Sequence, residues 1–158
     1  MVTFSQDTTF HLNGEEIHAH HAPRAPTDGD VVVLFRRSNV VHMGDIYFNG
    51  MYPFIDTASG GTVDGVIAAA DRVLAIADDA TRIIPGHGPL SNKAELKAYR
   101  DMLAAVSGRI RQMIRDGRKL EEIVAANPSA EFDGKWGKGF IAPAKFAEML
   151  TRNLVRAN

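Results

Sequence analysis

The first third of the chain alternates short apolar and polar runs, and the rest carries apolar residues three and four apart, so the pattern predicts strands first and helices afterwards. Thr8–Leu12 and Glu16–His21 flank Asn13-Gly14, a dipeptide that tolerates positive φ at both turn positions, and together they predict a hairpin. Ala22–Gly29, with Pro23, Pro26 and Gly29, is too interrupted for regular structure and reads as a loop. The β-branched runs Val31–Phe35 and Asn39–His42, separated by Arg36-Arg37-Ser38, predict two further strands with a tight connection. Ile46–Gly61 is aromatic and Gly-rich without a period and reads as a long ordered loop.

A helix is predicted from about Thr62, with Val66, Ile67, Ala70, Val73, Leu74 and Ala77 on one face and Asp78-Asp79 at its end. Thr81–Ile84 follows as a strand. A second helix runs from Asn92, with Glu95 placed for a capping box, to Asp116 before Gly117; its stripe is Leu96, Tyr99, Leu103, Val106, Ile110 and Met113. Leu120–Ala126 stops at Asn127-Pro128. Ser129–Lys138 reads as a loop with Trp136 tucked onto the helices, and a last helix after Pro143 turns Phe146, Met149, Leu150 and Leu154 inward. This order predicts an α/β (α+β) chain with one mixed sheet covered on one face by helices.

Composition narrows the classes. At 158 residues, 45% hydrophobic and 23% charged, the chain reads as one soluble globular domain over 1–158. A net charge of −1 gives no electrostatic reason to expect nucleic acid or an anionic membrane. No window reaches the roughly 18–20 apolar residues of a membrane helix, and the N-terminal residues do not read as a secretory signal. The compartment stays open. Cysteine is absent, which leaves histidines and carboxylates as the strong metal ligands.

The candidate chemistry lies at the two ends of Asn39–Pro89. Asn39-Val40-Val41-His42-Met43-Gly44-Asp45 and Ile83-Ile84-Pro85-Gly86-His87-Gly88-Pro89 are both apolar runs that stop at a Gly-flanked polar residue. The reading places Asp45 and His87 at strand ends, as ligands of a divalent metal or as a loop cap and a turn residue. His42 reads as a core or supporting group. His18 and His20 share a strand face and His21 points the other way; they are weaker metal candidates or plain half-exposed histidines, with His11 able to sit across from them. Asp28 and Asp30 read as loop-holding residues. Asp56 and Tyr52 could line the mouth of the site, while Tyr47, Phe48, Tyr52 and Phe54 read as core under a long loop.

Taken in order, Thr27-Asp28-Gly29-Asp30, Val40-Val41-His42-Met43-Gly44-Asp45, Tyr52-Pro53-Phe54-Ile55-Asp56, Gly60-Gly61 and Pro85-Gly86-His87-Gly88-Pro89 resemble the metallo-β-lactamase-fold hydrolases. The resemblance implies an αββα sandwich and a binuclear site of zinc or another first-row divalent metal. In it, the aspartate matching Asp45 bridges the two ions and orients the attacking hydroxide, as the catalytic residue, and the histidine matching His87 ligates the second ion. It also implies a small acyl substrate: an ester, thioester or lactam.

Two departures qualify the resemblance. The family's upstream His-x-His-x-Asp-His motif has no counterpart before Asp45, since His18-Ala19-His20-His21 echoes it only superficially, and Pro26 stands where the family has a histidine ligand. The expectation is therefore the C-terminal half of the fold, with an incomplete metal site and weak or absent activity as an isolated chain. An exposed sheet face would drive formation of a homodimer. The alternative is a non-catalytic dimeric half-fold module.

Overall fold

The computed structural model describes residues 3–156; Met1, Val2 and the last two positions of the expected 1–158 domain lie outside the described residues. Asn13 and Gly14 take φ of 51° and 75° and close the turn between β1 (Asp7–Leu12) and β2 (Glu15–His21). β3 (Val31–Phe35) pairs antiparallel with β2, and β4 (Val40–Phe48) antiparallel with β3. Glu15 fastens the second turn, its carboxylate accepting from the Arg37 amide at 2.7 Å and the Ser38 hydroxyl at 2.5 Å. β5 (Arg82–His87) adds to the far side of β4 in parallel, which completes a five-stranded mixed sheet of order β1-β2-β3-β4-β5.

The parallel step requires a crossover, supplied by the 49–61 loop and α1 (Val63–Ile76). Thr62 caps α1 by accepting from the Gly65 amide at 3.0 Å. α2 (Lys93–Arg115) starts at the predicted cap, with Asn92 accepting from the Glu95 amide at 3.0 Å. α3 (Leu120–Ala125), α4 (Asp133–Trp136) and α5 (Pro143–Arg156) follow. The predicted Ser129–Lys138 loop is in fact a 3-10 turn, Ala130–Phe132, running into α4, because Tyr52, Asn127 and Ser129 converge on the Asp133 carboxylate and fix the turn. Trp136 is buried, as its pattern suggested.

The core lies on one face of the sheet. Val32, Val41 and Met43 meet Val66, Ala70 and Val73 of α1, with Leu96, Tyr99, Leu103, Phe146 and Leu150 from α2 and α5 in the same cluster. By register, the opposite face carries Phe10, Ile17, Phe35 and Val40 in one cross-strand row, and Ala19, Val33, His42 and Ile84 in another; of these, Ala19 alone is buried. His42 is thus exposed and not in the core: its neighbours Val41 and Met43 take the buried face, and strand alternation turns the imidazole outward. Its Nδ1 accepts from the Gly44 amide at 3.1 Å. Among the described residues, no helix is long and apolar enough to cross a membrane.

Candidate metal centre

Asp45 does not end its strand. β4 continues through Ile46, Tyr47 and Phe48, so the loop expected from Ile46 begins only after Phe48. The pairing with β5 shifts between His42 and Gly44 and again between Gly44 and Phe48, and Gly44 sits at φ 51°. This is a bulge, and the left-handed φ that makes it belongs naturally to glycine. Its effect is to expose Asp45 while Met43 before it and Ile46 after it stay buried. β5 likewise runs past the predicted Ile84, to His87.

Gly86 explains how the two strands approach so closely. A Cβ there would lie 2.3 Å from Asp45 Oδ1 and 2.6 Å and 2.7 Å from the Gly44 carbonyl carbon and oxygen. Gly88, at φ 95°, leaves room for the Asn49 carbonyl, which a Cβ would meet at 2.2 Å. The glycines either side of His87 therefore bring β5 against the bulge and set His87 Nε2 3.5 Å from Asp45 Oδ1. Both side chains stay open to solvent, 47% exposed for His87 and 60% for Asp45. Two donors held about 2.0–2.2 Å from one tetrahedral cation lie roughly 3.3–3.6 Å apart, a range that includes the observed separation.

The imidazole is held from behind. Phe48 stacks on it at 4.7 Å between centroids and 18° between planes, and Phe140 tilts against it at 5.8 Å. The Asn49 amide donates to the His87 carbonyl at 2.9 Å, and its buried side chain donates to the Pro89 carbonyl at 3.1 Å. Beneath lies a polar chain of Tyr47, Ser91 and Glu95, with Tyr47 Oη 2.8 Å from Ser91 Oγ and Ser91 Oγ donating to Glu95 at 2.9 Å. Burial pushes the Tyr47 phenol up to about 12, against the pull of the Ser91 hydroxyl and with a push from the Glu95 charge.

The other predicted residues are distributed more widely. His18 and His20 share the helix-side face, but Thr9 and Asp7 sit across from them and His11 pairs with Glu16, because the tight turn sets the register. His21 faces the other way and its Nε2 donates to the Asp28 carbonyl at 2.6 Å. Asp30 holds its loop as expected, accepting from the Thr27 amide at 2.6 Å and hydroxyl at 2.7 Å. Tyr52 and Asp56 do not line a mouth. Tyr52 is fully buried, stacked on Phe146 at 4.0 Å and donating to Asp133 at 2.7 Å, and Asp56 closes its own turn by accepting from the Ala58 amide at 3.0 Å and the Ser59 hydroxyl at 2.7 Å. Phe54, read as core, is 51% exposed. It lies on the wall of a surface cavity of about 620 Å³ with Ile141, Met149 and Val155.

Phe140 and the Tyr47–Ser91–Glu95 chain were not found by sequence reasoning. Glu95 had a visible signal, its cap spacing, but its carboxylate turns to Ser91 rather than into a completed capping box. Among the described residues, the group of three ligand-type side chains close enough for one cation is Asp7, His18 and His20, and it includes neither Asp45 nor His87.

A five-stranded mixed sheet with helices on one face and a bare second face is one half of an αββα sandwich. Solved structures bear this out. The chain is similar to a metallo-β-lactamase from Pontibacter korlensis (22% identity, TM-score 0.56, 65% of this chain and 47% of that chain). It is also similar to DIM-1 metallo-β-lactamase (21%, 0.52, 63% and 46%). The stereoselective inverting sec-alkylsulfatase Pisa1 from Pseudomonas sp. matches over 96% of this chain and 26% of its own, at 18% identity and TM-score 0.70. At these identities the likeness establishes the fold: the chain carries half of the metallo-β-lactamase fold. It spans about half the length of these β-lactamases and about a quarter of the alkylsulfatase. By sequence, no protein-family model matches the chain and no curated protein matches it.

Proposed function

We propose that the chain is a metallo-hydrolase-like half-fold in which Asp45 and His87 supply two ligands to zinc or another first-row divalent cation. The observation that carries this is the 3.5 Å approach of Asp45 Oδ1 to His87 Nε2, two solvent-facing donors held at the spacing of ligands on one ion. Asp45 and His87 would hold such a cation, and it would supply Lewis acidity toward a water and a substrate carbonyl. Asp45, as the catalytic carboxylate, orients the attacking oxygen, and Phe48 and Phe140 fix the plane of His87. Esters, thioesters and lactams are the substrates to test, in keeping with the lactam hydrolysis that the names of the β-lactamase likenesses denote.

Two ligands make a weak site, so a second polypeptide must complete it, and activity alone is weak or absent. The partner proposed is a second copy, seated on the apolar row of Phe10, Ile17, Phe35 and Val40 that no helix covers. Light scattering coupled to size exclusion tests this: a monomer at micromolar concentration refutes the dimer. Elemental analysis after dialysis tests the ligands, since Asp45→Ala with His87→Ala should lower bound metal, and equal metal in both proteins rules the pair out.

One observation favours a second reading, a dimeric scaffold without catalysis: Asp45 and His87 already partner one another, and among the described residues no group of three ligands includes them. Metal bound at the pair, with no turnover of ester, thioester or lactam by the dimer, selects the scaffold.

A further inference from the structure

The β1–β2 hairpin places a second donor set on the helix-side face of the sheet, apart from the Asp45–His87 pair and independent of any role for it. Asp7 is directly opposite His20 in the register, and Thr9 is opposite His18. Side chains two apart on a strand share a face, so His18 and His20 stand side by side with Asp7 across from them. One donor atom from each of Asp7, His18 and His20 lies within 4.8 Å of the other two. Rotations about side-chain bonds bring such a set to the roughly 3.3–3.6 Å spacing of ligands around one ion.

The local contacts prepare each donor. Thr9 Oγ1 is 3.0 Å from His18 Nδ1, which fixes that ring and leaves its Nε2 free to ligate. The Asp7 carboxylate meets His20 Nδ1, which holds these two donors side by side across the strand pair. His20 offers the ion its Nδ1, the ring nitrogen that already faces Asp7, and its ring borders a cavity of about 240 Å³ together with Val32, Ala69 and Arg72.

We propose that Asp7, His18 and His20 form a binding site for a divalent transition-metal cation. Two imidazoles and one carboxylate match borderline ions such as zinc rather than magnesium or calcium, which favour oxygen donors. Water fills the remaining position at this half-exposed site. The bound ion cross-links β1 to β2 and so fastens the edge strand of the sheet. Arg72 Nη1, 3.5 Å from His20 Nδ1, is the competing cation and must swing aside.

The test is titration calorimetry with zinc chloride on the full chain, in an Asp45→Ala/His87→Ala background so that the two sites report separately. Zinc binding persists in that background. Adding His18→Ala and His20→Ala lowers its affinity by more than the about 10–100-fold that losing an outer partner of a metal ligand costs. Arg72→Ala tightens it. An isotherm unchanged by the histidine substitutions overturns the proposal. Nitrogen-15 imidazole spectra of the unmutated chain give a reading that needs no substitution: zinc should shift the ring nitrogens of His18 and His20, and zinc-independent shifts at both overturn the site.

Discussion

Gly86→Ala is the substitution that most directly probes how β5 meets the bulge in β4. The added methyl would sit 2.3 Å from Asp45 Oδ1 and 2.6 Å from the Gly44 carbonyl carbon. The carboxylate can rotate away, but the Gly44 carbonyl is backbone in a paired strand, so relief requires β5 itself to move. Overpacking of this kind costs up to about 3 kcal/mol, and the loss of unfolded-chain freedom on replacing glycine returns about 0.4–1 kcal/mol. The net is a destabilisation of about 2 kcal/mol, equivalent to roughly 4–8 °C in Tm for a domain of this size. Gly108→Ala is the matched control. It lies inside α2 with nothing within 4 Å of a new Cβ, and should stabilise by about 0.5–1 kcal/mol through helix propensity. Urea denaturation followed by far-ultraviolet circular dichroism measures both. A Gly86→Ala protein as stable as the parent would mean that the close approach of the strands is not what this glycine is for.

Two further outcomes follow from buried polar groups. Asn153, 1% exposed on α5, accepts from the Val63 amide at 3.0 Å and donates to the Gly61 carbonyl at 2.9 Å, so Asn153→Ala strands both groups and should cost about 2–4 kcal/mol by denaturant titration. A loss within about 0.5 kcal/mol would show that water replaces the amide. Burial raises the phenol of each of the chain's 3 tyrosines, that of Tyr47 to about 12. The unfolded chain releases these protons first, near the ordinary value of 10.0, so stability should be intact below that pH and fall as pH rises above it. Phenolate absorbance should therefore appear together with loss of the circular dichroism signal. A tyrosine titrating near its ordinary value in the folded protein would contradict the packing described for it.

What could be read from the sequence was what the chain decides locally. Asn13-Gly14 specified its turn because both residues tolerate positive φ, and Asn92 announced its helix because a cap needs only the amides three residues on. Asp45 and His87 were also recognisable, as polar residues closing apolar runs. Their setting was not. The bulge at Gly44 exists because a parallel neighbour from beyond α1 passes there, and a strand ending at Asp45 looks the same in sequence as one that bends and continues. His42 reads as a core or supporting group because Val40, Val41 and Met43 surround it, while alternation gives the buried face to Val41 and Met43. The Asp7–His20 pairing follows from the Asn13-Gly14 turn, whose two-residue length sets the register back along β1.

The parallel pairing of β4 with β5 also bears on when the Asp45–His87 pair comes into being. The pairs β1–β2 and β3–β4 close over short turns, contacts that a chain makes early. β5 can join only after the 49–61 loop and α1 have been laid down across the sheet, at a loop-closure cost that delays it. In a refolding time course, protection of the β1–β3 amides should precede protection of the β4–β5 amides that bring His87 to Asp45. Formation of that pair then reports completion of the fold, and a chain arrested with its hairpins formed would carry both residues and still hold them apart.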